Sequence, residues 1–305
     1  MKKTIYHTSL ALCLLAGLTA LTLKRLDLAY PPDISICSDY SPTVHDRHGK
    51  LLHTRLTADD KRRLPPGALP AAYSALLLNY EDRRYYQHHG IDAVAIVRAL
   101  GENLRGGGIR SGASTLTMQA ARLIYRTPHS FPGKIRQTLR ALQLEYHYDK
   151  ATILNCYTSL APMGGNLEGI TAGAWHYFGK TPAELSIGET AWLIALPQNP
   201  NRLADPARAL AARNRVLDRA LKNELIDSET HHNASHEALA PRPHPFPQNA
   251  PHYAALALKR GESTTTLDRE LQRRLEATLA AALPTRPARS NLAALILDNT
   301  SGETR

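Results

Sequence analysis

Eight segments between Leu69 and Leu225 carry apolar side chains at spacings of three and four, and proline or glycine separates nearly every pair. That spacing lines one face of a helix, because about 3.6 residues complete each turn. Proline cannot continue a helix interior and glycine disfavours one, so the breaks read as turns. Leu69–Tyr80, Asp92–Leu104, Ser114–Tyr125, Lys134–Tyr146, Lys150–Leu160, Leu167–Phe178, Pro182–Leu193 and Pro206–Leu225 are therefore predicted helices. Helices of this kind bury their apolar stripes against one another, which predicts one mainly α domain over 67–226. The chain shows no internal repeat.

The flanks differ from this body. Lys2 and Lys3 precede an apolar stretch, Thr4–Leu23, that Lys24 and Arg25 close. At a helical rise of about 1.5 Å per residue it spans roughly 30 Å, the hydrocarbon thickness of a bilayer. No Ala-x-Ala cleavage site follows, so residues 1–29 are expected to be a cytoplasmic tip and an uncleaved transmembrane signal anchor, with a cleaved signal peptide as the alternative. The remainder is then periplasmic. Lys and Arg number 37 against 27 Asp and Glu, a formal charge of +10. Outside the cytoplasm this charge favours phospholipid or a pyrophosphate substrate over nucleic acid.

Residues 30–66 read as a connector with a strand or hairpin around Asp46-Arg-His-Gly49, and 227–263, rich in His, Asn and Pro, as a linker. Over 264–305 a helix pattern, Thr264–Leu283, precedes a strand pattern, Asn291–Asp298, and the turn Asn299-Thr-Ser-Gly302. This is a short incomplete α+β segment whose second strand is missing, as in a truncated version of something longer. Three cysteines exclude a disulfide scaffold; Cys37 and Cys156 could pair in an oxidising periplasm, but unpaired buried thiols are the favoured expectation. The fourteen histidines are scattered without metal-ligand spacing, so no zinc site is predicted.

Two segments carry the chemistry. In Glu81-Asp-Arg-Arg-Tyr-Tyr-Gln-His-His-Gly90, charged, aromatic and histidine side chains crowd the connection after a helix ending near Tyr80. A partly desolvated carboxylate beside cations suits a general base, although a solvated helix end with local ion pairs has the same composition. In Gly112-Ala-Ser-Thr-Leu-Thr-Met-Gln-Ala-Ala-Arg122, a glycine-rich loop enters a helix with Ser114 as the expected N-cap. Free backbone N–H groups there suit an anion, and any capped helix looks alike.

Together these segments resemble the first two signature motifs of the family 51 peptidoglycan glycosyltransferases, through Glu81, Asp82, Tyr85, His88 and Gly90, then Gly112, Ser114, Thr115, Thr117, Gln119 and Arg122. Lys134-Ile-Arg-Gln through Glu145, with Asp149-Lys-Ala-Thr-Ile-Leu154, resembles the third motif. Met163-Gly-Gly through Lys180 resembles the fourth, and Glu184-Leu-Ser to Leu196-Pro-Gln-Asn-Pro200 the fifth. The resemblance implies a lysozyme-like helical domain that polymerises lipid II into β-1,4 glycan strands and releases undecaprenyl pyrophosphate. It places Glu81 as the general base and Arg98, Arg122 and Lys134 as pyrophosphate-binding cations. Ser114, Thr115 and Gln119 become polar donor-site residues, with Asp82 and His88 in the same substrate-binding set.

Two departures from the family follow. Gln137 stands where the family commonly has a second glutamate, three residues after a lysine, and an amide is neither an acid nor a good metal ligand. No tightly bound cofactor is expected, and stimulation by Mg2+ or Mn2+ stays open. Ser-x-x-Lys, Ser-x-Asn and Lys-Thr-Gly are all missing, so no transpeptidase activity is expected of this chain, although 264–305 resembles the opening of such a domain. Two other readings stay open: an inactive remnant that binds lipid II or partner cell-wall synthases at the cytoplasmic membrane, and a lytic transglycosylase or muramidase.

Overall fold

Helices begin where a side-chain oxygen can take over backbone donors that the first turn leaves free. In this protein Thr115, Ser130, Ser186, Asp205, Asp227 and Asp268 do so. The computed structural model describes residues 27–106, 114–128, 130–198, 205–239 and 241–305, with 17, 21, 22, 24 and 25. In chain order it contains β1 (Thr43–His45), β2 (Leu51–Thr54), β3 (Arg62–Arg63), α1 (Ala71–Glu81), α2 (Ala93–Gly106), α3 (Leu116–Tyr125), α4 (Phe131–His147) and α5 (Lys150–Leu160). There follow β4 (Leu167–Glu168), α6 (Ile170–Phe178), α7 (Ile187–Ala195), α8 (Pro206–Lys222), α9 (Ser228–His236), α10 (Pro251–Lys259) and α11 (Arg269–Ala282). The chain is mainly helical, as its periodicity predicts. The expected anchor, Thr4–Leu23, lies almost wholly outside the described residues. Among those residues no helix is long and apolar enough to cross a membrane.

The chain divides into two compact units, Met1–Ser38 with Glu81–Tyr157, and Asp39–Tyr80 with Thr158–Arg305. In the first, α3 packs on α4, and Leu116, Ala120, Ala121, Ala141, Leu144 and Ile153 are buried. Gly90 joins this packing. Its φ is +85°, and a Cβ there would stand 2.9 Å from the Ala141 carbonyl oxygen and 3.0 Å from its carbon. An alanine at Gly90 therefore meets both a strained backbone and a rigid wall. Gly90→Ala is expected to cost about 1–3 kcal/mol, read as a lower midpoint in urea unfolding; an unchanged midpoint would show that α4 can yield.

Cys37 and Cys156 form a disulfide, with Cα atoms 4.8 Å apart. This corrects the expectation of unpaired thiols. A short 3-10 turn, Ser35–Ser38, sets Cys37 against α5, and both cysteines are buried. The segment leading into the turn is also fastened to α4. The Asp27 carboxylate accepts from Gln143 Nε2 at 2.6 Å and meets His147 Nε2 at 2.9 Å, while Arg140 Nη1 donates to the Tyr30 carbonyl at 3.0 Å.

In the second unit α7 is buried along its whole length from Gly188, with Trp192, Leu193 and Ile194 at its centre, and it packs on α8. The helix expected over Leu167–Phe178 opens instead as the short strand β4. At Gly169, φ +85°, a Cβ would lie 2.7 Å from the Ser159 carbonyl oxygen, so glycine lets the chain turn there into α6. Beside β4, the fully buried Arg63 donates to Glu168 and to the Asp39 carbonyl oxygen.

The segment 227–263, expected as a linker, holds α9 and α10. The hairpin expected around Asp46–Gly49 is present as β1 paired antiparallel with β2. Val44 and Leu52 of this hairpin share a core with Ala250, Ala254, Ala257 and Leu267. The C-terminal segment is therefore anchored on the connector. The helix expected from Thr264 starts at Arg269, because Asp268 caps it. The strand expected at Asn291–Asp298 is reduced to one bridge, Leu297 to Thr304, across the predicted turn. Residues 303–305 lie antiparallel to 296–298, with the Arg305 N–H donating to the Ile296 carbonyl at 2.9 Å.

Candidate active site

Every residue singled out for chemistry falls in the first unit. Glu81 is the last residue of α1 and is half buried. Gln119, one turn into α3, donates from Nε2 to Glu81 Oε2 at 2.9 Å. A helix C-terminus and a helix side chain thus fix one carboxylate oxygen.

Asp82 and His88 are both buried. The Asp82 carboxylate accepts the Leu116 backbone N–H at 2.9 Å and meets His88 Nε2 at 3.0–3.1 Å. A carboxylate only accepts, so His88 carries its proton on Nε2. Asp82 therefore ties the loop after Glu81 to the start of α3, a position where negative charge also complements the helix dipole. Thr115, not Ser114, is the N-cap of α3: its hydroxyl accepts from Met118 N and donates to the Gly90 carbonyl at 2.6 Å. With those two bonds and full burial, the Thr115 hydroxyl is committed to the fold.

Ser114 instead faces α4. The Lys134 ammonium donates to Ser114 Oγ and, at 3.1 Å, to Gln137 Oε1. Partial withdrawal from water, with the Arg122 guanidinium close by, holds Lys134 below the ordinary lysine value. Two cations thus sit together with neutral acceptors. Gln137 itself is buried, and Arg98 is exposed on α2. Gly112 and the rest of 107–113 lie outside the described residues. The structure therefore brings Glu81 together with Gln119, and Lys134 with Ser114, Gln137 and Arg122, while Asp82, His88 and Thr115 form the frame between these groups.

A second charged group joins residues of the first three motifs whose pairing the sequence did not show. Glu145, its side chain only 5% exposed, takes bonds from Thr117 Oγ1 and, at 2.6 Å, from Lys150 Nζ. Lys150 also lies over the Tyr85 ring, whose hydroxyl donates to the Lys150 carbonyl at 2.8 Å. Burial, with the Glu145 charge nearby, pushes the Tyr85 phenol far above its ordinary value and keeps it neutral. The available signal was that Glu145 and Lys150 both stand in the third motif, five residues apart.

Residues 48–221 match the family described as Transglycosylase, and the chain belongs to it. Penicillin-binding protein 1C of Escherichia coli (strain K12) is 44% identical over 239 residues, covering 76% of this chain and 31% of that protein. Penicillin-binding protein 1A of Pseudomonas aeruginosa is 35% identical over 222 residues, covering 70% of this chain and 27% of that one. Penicillin-binding protein 1A of Escherichia coli (strain K12) is 32% identical over 251 residues, covering 78% and 29%. The chain thus spans about three-tenths of the length of these curated relatives.

Proposed function

We propose that this chain is a peptidoglycan glycosyltransferase that joins lipid II units into β-1,4 glycan strands during cell-wall synthesis. The observation that carries this reading is Glu81, held by Gln119 on one oxygen, in the same unit as the Lys134 and Arg122 pair. Glu81 takes the proton from the acceptor sugar's 4-hydroxyl as that oxygen bonds to the anomeric carbon of the growing strand. The bond from that carbon to the pyrophosphate breaks on the opposite face, with inversion, and undecaprenyl pyrophosphate leaves with the electron pair. Lys134 and Arg122 meet the charge that develops on it, and Ser114 and Gln137 orient the lysine. The proposal is tested by polymerisation of labelled lipid II by the full chain in detergent, with and without Mg2+ or Mn2+. A folded chain that gives no polymer overturns it in favour of lipid II binding alone.

A polyprenyl substrate stays in the bilayer, and export to the periplasmic face of the cytoplasmic membrane agrees with the disulfide, which persists in oxidising compartments. The membrane-facing surface proposed is α4. Phe131, Ile135, Leu139, Leu142 and Tyr146 recur at helical spacing and are 41–81% exposed. Leu76 and Leu77, apolar residues near the end of α1, are buried by comparison. A chain starting at Asp27 is expected to float with phospholipid vesicles. Serine at both Ile135 and Leu139 should weaken that association about tenfold or more. Flotation unaffected by these changes would move the contact elsewhere.

A further inference from the structure

The bond between Gln119 and Glu81 is one link in a closed circuit of contacts within the first unit. Gln119 Nε2 donates to Glu81 Oε2 at 2.9 Å. Two residues before Gln119, the Thr117 hydroxyl donates to Glu145 Oε1, which also takes Lys150 Nζ at 2.6 Å. The Lys150 carbonyl accepts the Tyr85 hydroxyl at 2.8 Å, and the Lys150 ammonium lies 4.3 Å from the Tyr85 ring centroid. Tyr85 follows Glu81 by four residues, so the backbone closes the circuit.

Four elements meet in it: the loop after Glu81, the first turn of α3, the last turn of α4 and the start of α5. Residues two apart on a helix do not share a face. Helix α3 is therefore held from two sides, by Glu145 through Thr117 and by Glu81 through Gln119. Thr117 and Tyr85 are fully buried, and the Glu145 side chain is 5% exposed. A carboxylate so enclosed, with its bonds made inside the fold, acts through what it holds.

We infer that Glu145 is a positioning residue for glycosyl transfer: held by Lys150, it fixes Thr117 and with it the placement of α3 from which Gln119 reaches Glu81. The inference rests on Glu81 as the general base. A buried ion pair adds little stability over apolar side chains of the same size, because desolvation offsets the attraction. What it supplies here is geometry, since a charged acceptor holds a hydroxyl more strongly than a neutral one does. Without the Thr117 bond, α3 stays attached to the loop through Thr115 to the Gly90 carbonyl and Leu116 N–H to Asp82. The helix loosens at its α4 side and the fold persists. A hydrogen bond donated to a carboxylate favours its ionised form, so the titration of Glu81 reports how well Gln119 reaches it.

The test is that titration, followed by NMR in the full chain labelled with 13C at its glutamate carboxyls, the Glu81 signal being assigned by its loss in Glu81→Gln. Thr117→Val keeps the side-chain shape and the Glu145–Lys150 pair and removes only the bond between them and α3. It is expected to raise the Glu81 midpoint by roughly 0.5–1 pH unit, as the loss of one hydrogen bond to the ionised form does. Gln119→Ala should raise it as much, and Thr117→Val added to Gln119→Ala should raise it no further. Thr117→Ser keeps the hydroxyl and should match the parent. With labelled lipid II, Thr117→Val and Glu145→Gln should each lower kcat about tenfold with KM little changed. An unshifted Glu81 midpoint in folded Thr117→Val, or shifts that add in the double variant, would overturn the inference. A parent that gives no polymer removes the transferase reading, and the titration still decides whether Glu145 positions Glu81.

Discussion

Exchange of Glu81 for glutamine is expected to abolish glycan polymerisation from lipid II while leaving the protein folded. Glutamine keeps the size of the side chain and one acceptor oxygen, so the bond from Gln119 Nε2 survives. What is lost is the capacity to take a proton. General-base catalysis by a positioned side chain contributes about 10²–10⁴-fold, and the rate of strand extension should fall by that factor. Lys134 and Arg122 are untouched, so pyrophosphate-lipid binding should hold, and the loss should appear in kcat with KM little changed. A loss shared equally by binding would instead make Glu81 a substrate anchor. Retained polymerisation would assign the proton to another group, and retained binding with an inactive parent would favour the lipid II-binding reading.

The helices were legible in the sequence because each carries a strong apolar period and a readable stop. Helices α9 and α10 were not, since they bury only Ala234, and Ala254 with Ala257, within a stretch whose composition is that of a linker. The motifs marked candidate residues without showing what holds each in place. Thr115 and Asp82 read as substrate contacts; in the structure the Thr115 hydroxyl accepts the Met118 N–H and one Asp82 oxygen accepts the Leu116 N–H at the start of α3. Within the fourth and fifth motifs Lys180 pairs with Glu189 at 2.8 Å, and the Tyr177 hydroxyl donates to the Met163 carbonyl at 2.6 Å. Side-chain spacing along a helix fixes a face, not its partner. Contacts between distant residues, such as Gln119 with Glu81, follow only from how helices pack.

The same limit hid the disulfide, and the largest stability effect follows from it. Cys37 and Cys156 are 119 residues apart in sequence, and closing a loop of that size removes roughly 4–5 kcal/mol of unfolded-state entropy in the chain-entropy picture. Measured losses for native disulfides are about 2–5 kcal/mol, so reduction should lower the unfolding midpoint by roughly 10 °C in a chain of this size. The remaining ties between 27–32 and α4, such as Asp27 to His147, are polar contacts that solvent screens. They cannot hold that segment alone. Thermal unfolding of the parent with and without a reductant is the direct comparison, because substitution at a buried cysteine adds a packing change of its own. The double variant Cys37→Ala, Cys156→Ala should unfold at or below the reduced parent's midpoint and ignore the reductant. A parent whose midpoint does not move on reduction would show that the bond does not hold the fold. It would also remove the oxidising compartment as support for placing this domain outside the cytoplasm.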